Sequence, residues 1–274
     1  MVYAVVFLSI PALIDPSGTG LLRAAGLRLL LGLCTVGLLF AAALFVDKRP
    51  VYRFGLCIDR YWLTDSVAGA LIGSAIPTAA VLLGLAVGWL AVPEAAFTLT
   101  ASTLANIGLA IVVTVCIALV EEFVYRGYIL TNAIEGLDLR WVSSPVTIAS
   151  AWGISAFLFA VVHPAPTLLV GFHYLGAGLL LGLAYLITGQ LALPVGIHAG
   201  FNFVSGYVFP LDQDPSVSIA PLAVQGPEWL IGQAGVLQTG FQLSAAIFVV
   251  FYGWWRSGSL GISPAIKSKI RDKS

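Results

Sequence analysis

Seven stretches of this chain are runs of apolar residues about as long as a bilayer's hydrocarbon core is thick: Leu29–Val46, Val67–Val92, Ala105–Leu130, Pro145–His163, Leu168–Ile187, Leu191–Phe209 and Val236–Trp255. Inside lipid no water satisfies a peptide N–H or C=O, so each run must close its own backbone hydrogen bonds, and a helix does this within one segment. Of the 274 residues, 59% are hydrophobic and 9% charged, with a mean hydropathy of +0.98. Soluble domains hold about 45–50% apolar residues. The expectation is an all-α, polytopic transmembrane helix bundle of seven or eight helices.

The eighth helix is the open point. Met1–Ile14 is apolar but short for a span and contains Pro11, so it is either a thin helix or an interfacial segment. It lacks the basic n-region and cleavage site of a signal peptide and is expected to stay on the mature protein. The chain then divides into residues 1–28, a short apolar segment and interfacial linker; residues 29–255, a single transmembrane domain whose core, at 105–209, holds the candidate functional residues; and residues 256–274, a basic tail. The stretch Asp47–Asp65 mixes charges with Tyr52, Phe54, Tyr61 and Trp62 and is expected at the membrane interface. Glycines four apart, at Gly69/Gly73, Gly84/Gly88, Gly178/Gly182 and Gly196/Gly200, predict close helix packing. Cys34, Cys57 and Cys116 are odd in number and widely spaced, which fits neither a disulfide framework nor a cysteine zinc site, and they are expected to act as small packing residues.

Charge sets orientation and excludes one class of partner. The formal net charge is zero, thirteen basic residues against thirteen acidic, so no basic field invites nucleic acid. With the first full helix running outside to inside, the inner side receives every Lys and Arg except Arg23 and Arg28. Those inner residues are Lys48, Arg49, Arg53, Arg60, Arg126, Arg140, Arg256, Lys267, Lys269, Arg271 and Lys273, and by the positive-inside rule the C-terminus is cytoplasmic.

Ionisable groups within the apolar runs are too expensive to be incidental and by default face a polar cavity. Glu122 and Arg126 are i and i+4 with the acid first, the favourable order for a pair. At about 100° per residue, Glu121 points about 140° from Arg126, free of that partner. His163 ends its run just before Pro164-Ala165-Pro166, and His198 shares a helix face with Asn202. His173 reads as structural. A carboxylate, two imidazoles and an amide supply a base, a group to orient water and donors for an oxyanion, the requirements of peptide-bond hydrolysis by activated water. No Gly-x-Ser-x-Gly turn or cysteine nucleophile signature points to an acyl-enzyme.

Glu121-Glu122-x-x-x-Arg126, Phe159-x-x-x-His163 and His198-x-x-x-Asn202, in this order, resemble the motifs of the CPBP family, which contains the type II CAAX prenyl endopeptidases and bacteriocin-processing or self-immunity proteins, also called Abi. The resemblance implies a metal-independent glutamate intramembrane endopeptidase without a cofactor. Glu121 would be the general base, His163 would polarise water, His198 and Asn202 would stabilise the oxyanion, and Glu122 and Arg126 would shape the site. The implied partners are the lipid bilayer and a membrane-associated or lipidated protein or peptide substrate. Two alternatives stay open: a zinc-dependent membrane protease, since one glutamate and two histidines match a catalytic ligand count, and a non-proteolytic membrane scaffold or bacteriocin self-immunity protein. Nine Arg against four Lys and the abundance of Ala and Gly suggest a prokaryotic plasma membrane. Counting along the runs sets Glu121 toward the inner side and His163 near the outer end of the next helix, a mismatch that tilt or different helix ends must resolve.

Overall fold

A computed structural model describes residues 21–91, 101–209, 226–232 and 234–270. Met1–Ile14, Arg271, Lys273 and most of the connection after Pro210 lie outside the described residues. Among the described residues seven helices, six of them long, cover the seven apolar runs. Helix α1 spans Leu21–Ala41 and continues as a π-helical turn, Ala42–Val46; α2 spans Trp62–Ala86. Helix α3 spans Ala101–Glu122 and runs without a break through a π-helical stretch, Phe123–Leu130, into Thr131–Gly136. Helices α4 (Ser144–Val162), α5 (Leu168–Thr188), α6 (Ala192–Phe203, extended by Val204–Val208) and α7 (Val236–Ser257) complete the bundle. Five of these, α2, α3 from Thr103, α4, α5 and α7, are long and apolar enough to cross a membrane.

The side chains facing outward from these helices are apolar. Leu33, Leu38, Leu71, Phe157, Phe172, Ile247 and Phe248 are all exposed, a surface that water would not tolerate and lipid does. Helix α6 differs. Every residue from Leu191 to Gly200 is buried, so this short helix, apolar except for His198 and Asn202, is the central post of the bundle, with α2, α3 and α5 packed on it.

Glycine sets how closely the post is gripped. Helices α2 and α6 run parallel in the bundle's most extensive contact, with Gly69 against the Leu193 and Ile197 backbone, Gly73 against Ile197, and Gly196 and Gly200 against Ser66 and Ala70. Gly178 meets Ala156, and Gly182 meets the Trp152 indole, across α4 and α5. The remaining pair works differently: Gly84 accommodates Leu90 from the turn that follows, and Gly88, at φ 77°, ends the helix in a left-handed conformation. The cysteines do not pack as expected either, since Cys34 and Cys57 are exposed and Cys116 is half-buried.

One end of the bundle collects the basic residues. Arg49 pairs with Glu135, Lys269 donates to the Arg53 carbonyl, and Arg256 lies 4.9 Å from the Tyr61 ring centroid. Asp65, expected at the interface, is wholly buried, bonded to Tyr252 at 2.7 Å and Arg256 at 2.8 Å, and so fastens α7 to α2. Leu191 N–H bonds the Gly55 carbonyl and Ser263 N–H the Leu186 carbonyl, closing this end with short connections. At the opposite end Val81, Leu90 and Leu230 form a small apolar cluster with Leu85, Phe209 and Leu237.

A Cβ added at Gly73 would overlap the Ile197 carbonyl, a backbone atom that cannot move aside. Gly73→Val should therefore destabilise the folded protein by about 1–3 kcal/mol, the usual cost of overpacking, read as a lowered Tm in detergent. Gly37→Val, where nothing lies within 4 Å, is the control expected to leave Tm unchanged.

Candidate active site

The π-helical stretch of α3 is the local feature from which the site is built. A π-turn widens the helix and frees backbone carbonyls from their usual partners. Here Ser155 of α4 donates to the Tyr125 carbonyl at 2.8 Å, and Gly127 lets the Phe54 carbonyl come close. Glu121 and Glu122 are the last two α-helical residues before this stretch, so the two carboxylates stand where the helix changes pitch.

Glu122 and Arg126 pair as their spacing predicts, Arg126 Nη1 donating to Glu122 Oε1 at 2.8 Å, with both side chains wholly buried. The same oxygen accepts from His198 Nδ1 at 2.8 Å, and Arg126 Nη2 donates to the Gly178 carbonyl at 3.2 Å. The guanidinium carbon lies 4.5 Å from the Phe159 ring centroid, a cation–π contact in a desolvated place. Glu122 therefore does more than pair within its helix. Because a carboxylate only accepts, it holds the proton of His198 on Nδ1 and turns Nε2 toward Glu121.

His163 is oriented by different means to the same effect. Its Nδ1 lies 2.7 Å from the Phe159 carbonyl, which likewise only accepts, so Nε2 again faces Glu121. The ring lies between Tyr174, stacked at 4.5 Å, and Phe159, tilted at 4.5 Å. Glu121 Oε2 lies 3.8 Å from His163 Nε2 and 3.9 Å from His198 Nε2. That oxygen is buried without a hydrogen-bond donor among the described residues. The separations are too long for direct bonds and short enough for one water to lie beside all three groups.

The depth mismatch expected from counting disappears because α3 ends at Gly136 rather than near Leu130, six residues on. That places Glu121 about 9 Å further from the basic end at 1.5 Å per residue. His163, the residue after the last turn of α4, reaches the same level.

A cavity of about 220 Å³ opens from these groups, lined by Glu121, His163, His198, Asn202 and mostly apolar side chains. Asn202 is thus brought to the cavity one helical turn beyond His198, on the same face of α6. The cavity also holds residues that no sequence pattern marked: Tyr174, His173 and Gln242. His173, expected to be structural, has Nδ1 3.1 Å from Thr239 Oγ1, and its carbonyl accepts from Gln242. Tyr174 and Gln242 carry no spacing signal because their roles depend on which helix lies opposite. Among the described residues no group of three or more His, Cys, Asp and Glu side chains could hold a metal ion.

Residues 103–204 match the sequence model of the family described as type II CAAX prenyl endopeptidase, Rce1-like. Neither the comparison with curated proteins nor that with solved structures gave a match. The matched segment runs from the first turn of α3 through α6 and contains all seven residues that the motifs specify.

Removing the Glu122 carboxylate leaves Arg126 charged and unpaired in a dry interior, whereas removing both charges does not. Glu122→Ala should cost about 3–5 kcal/mol of stability, and the double change Glu122→Ala with Arg126→Met should recover most of it. Tm values of the purified variants in one detergent are the check, and equal losses in the single and double variants would contradict the pairing.

Proposed function

We propose that this protein, whose residues 103–204 form an Rce1-like domain, is an intramembrane endopeptidase of the CPBP family. It would hydrolyse a peptide bond in a membrane-associated or lipidated protein or peptide by a glutamate-activated water and without a metal. The observation that carries the reading is the approach of His163 Nε2 and His198 Nε2 to within 3.8 and 3.9 Å of one buried oxygen of Glu121.

In this reading Glu121 takes a proton from a water lying beside it, and the water oxygen adds to the substrate carbonyl carbon. His163 accepts from the same water and fixes its direction. As the carbonyl π electrons move onto oxygen, the Asn202 amide and His198 Nε2, when that ring carries both protons, donate to the oxyanion. Glu122 orients that ring by accepting from Nδ1. The C–N bond then breaks, and Glu121 returns its proton to the leaving amine. Arg126 holds Glu122, and so acts on the chemistry through His198. The prokaryotic plasma membrane, with the basic end of the bundle in the cytoplasm, is the proposed location.

A general base contributes about 10²–10⁴-fold to rate. Glu121→Gln should therefore lower cleavage of a membrane-anchored peptide about 10²–10⁴-fold while leaving Tm within about 1 kcal/mol equivalent of the parent, since the change is near-isosteric. A scaffold or immunity protein would instead keep its binding function in this variant, and that result would replace the protease reading.

Chelation separates the metal-free mechanism from the zinc alternative. Cleavage should continue at an undiminished rate in excess chelator, with metal analysis finding no stoichiometric zinc in the active protein. Loss of activity on chelation, restored by zinc, would transfer Glu121, His163 and His198 to the role of ligands.

A further inference from the structure

The cavity has a direction, and the direction has consequences for the substrate. Along α3 it is lined by Thr114, Ile117 and Glu121, none nearer the Gly136 end than Glu121. Along α6 it begins at Ile197 and continues through Asn202 to Tyr207, and along α5 it begins at Leu181 and continues back to His173. Because α3 and α5 point their C-termini, and α6 its N-terminus, toward the basic end, all three helices agree. The cavity extends from Glu121 away from the basic residues.

On the other side of Glu121 the bundle is closely packed as far as a second cavity at the basic end, lined by Arg49, Arg53, Glu135, Gly189 and Lys269. Arg126, Leu130, Ala184, Tyr185, Leu191 and Leu193 are all wholly buried there, and the Thr131 and Tyr185 hydroxyls bond across α3 and α5 at 3.0 Å. Beyond this plug lie Arg49, Arg53, Arg256 and Lys269, the cluster that the positive-inside rule assigns to the cytoplasm. From Leu181 to Gly189, at the end of α5, eight residues of close-packed helix, about 12 Å, stand between the cavity floor and that face. The turn after His163, residues Pro164 to Thr167, is exposed and lies on the cavity's side.

We infer that Glu121 is reached from the non-cytoplasmic side, so that the substrate presents its scissile bond at the outer half of the bilayer. This rests on the protease reading for the word substrate, and for the side of access on the direction of the cavity together with the positive-inside assignment of the basic end. The class of substrate that follows is an exported or outward-facing peptide segment anchored in the membrane. A lipidated C-terminus exposed to the cytoplasm would meet the plugged end. The lining suits such a segment: aromatic and aliphatic side chains for most of its surface, with Asn202 and Gln242 among its polar groups.

The test uses the full chain with Cys34, Cys57 and Cys116 replaced by Ala and one new cysteine at a time: Pro166→Cys on the turn beside the cavity, Ala177→Cys in the cavity, and Ser268→Cys at the basic end. In intact cells a small membrane-impermeant thiol reagent should label the cysteines introduced at 166 and 177 and miss that at 268. In inside-out vesicles the pattern should reverse. Labelling of position 268 alone in intact cells, with 166 and 177 reached only from the cytoplasmic face, would overturn the inference. A variant that fails to fold is recognised by its loss of a monodisperse elution peak, and Thr167→Cys then replaces Pro166→Cys. A quenched membrane-anchored peptide, oriented with its cleavage sequence on either face of reconstituted vesicles, reads the substrate class separately. Cleavage confined to the orientation facing the cavity supports it, and cleavage confined to the other orientation sinks it. If neither peptide is cut in either orientation while labelling follows the expected pattern, the side of access stands and the protease reading falls.

Discussion

The bundle depends on one buried carboxylate. An ionised group moved from water into an apolar medium is strongly disfavoured unless it is paired and hydrogen-bonded. Glu122 is both, through a single oxygen that takes one bond from Arg126 on its own helix and one from His198 on the central helix. Arg126 in turn reaches the Gly178 carbonyl on α5. Three helices are therefore held at one relative height, because sliding any of them by a turn would strand a charge in hydrocarbon. The glycine contacts between α2 and α6 and between α4 and α5 supply the closeness that this network needs, since lipid offers no hydrophobic force to drive helices together.

The network also separates two carboxylates that are neighbours in sequence. Glu122 is spent on position: it accepts from a guanidinium and an imidazole and is wholly buried. Glu121 faces the cavity, with two imidazole nitrogens near its oxygen and no donor bonded to it among the described residues. Environment alone sets two chemically identical groups apart. His163 and His198 show the same economy, since each spends Nδ1 on an acceptor that fixes the ring and keeps Nε2 for the cavity. Phe159 lies at the junction of these parts, touching Arg126, Tyr125, His163 and His198 with its ring.

A good deal of this could be read without coordinates. The seven helices follow from the length of the apolar runs, and the Glu122–Arg126 pair from i, i+4 spacing. Errors fell where a residue's role depends on what lies across from it. Asp65 belongs to a stretch expected at the interface, and its burial there could not be read because Tyr252 and Arg256 arrive from the far end of the chain. Gly84 and Gly88 have the spacing of a packing motif and instead build a helix terminus. The apolar run Ala105–Leu130 understates α3, which continues to Gly136 through polar residues at the basic end, where Glu135 meets Arg49. Those six residues bring Glu121 to the depth of His163.

The sequence by itself determined that the chain spans a membrane as helices, which end of the bundle carries positive charge, and which ionisable groups sit within the spans, because each of these follows from hydropathy and spacing along a single segment. Only the tertiary structure decided that His198 leans on Glu122, that Tyr174 and Gln242 join the cavity, and that the cavity leads away from the basic end. Those facts concern atoms from helices far apart in the chain. Their distances are set by how α2, α5 and α6 interlock, and no pattern within one helix carries that information.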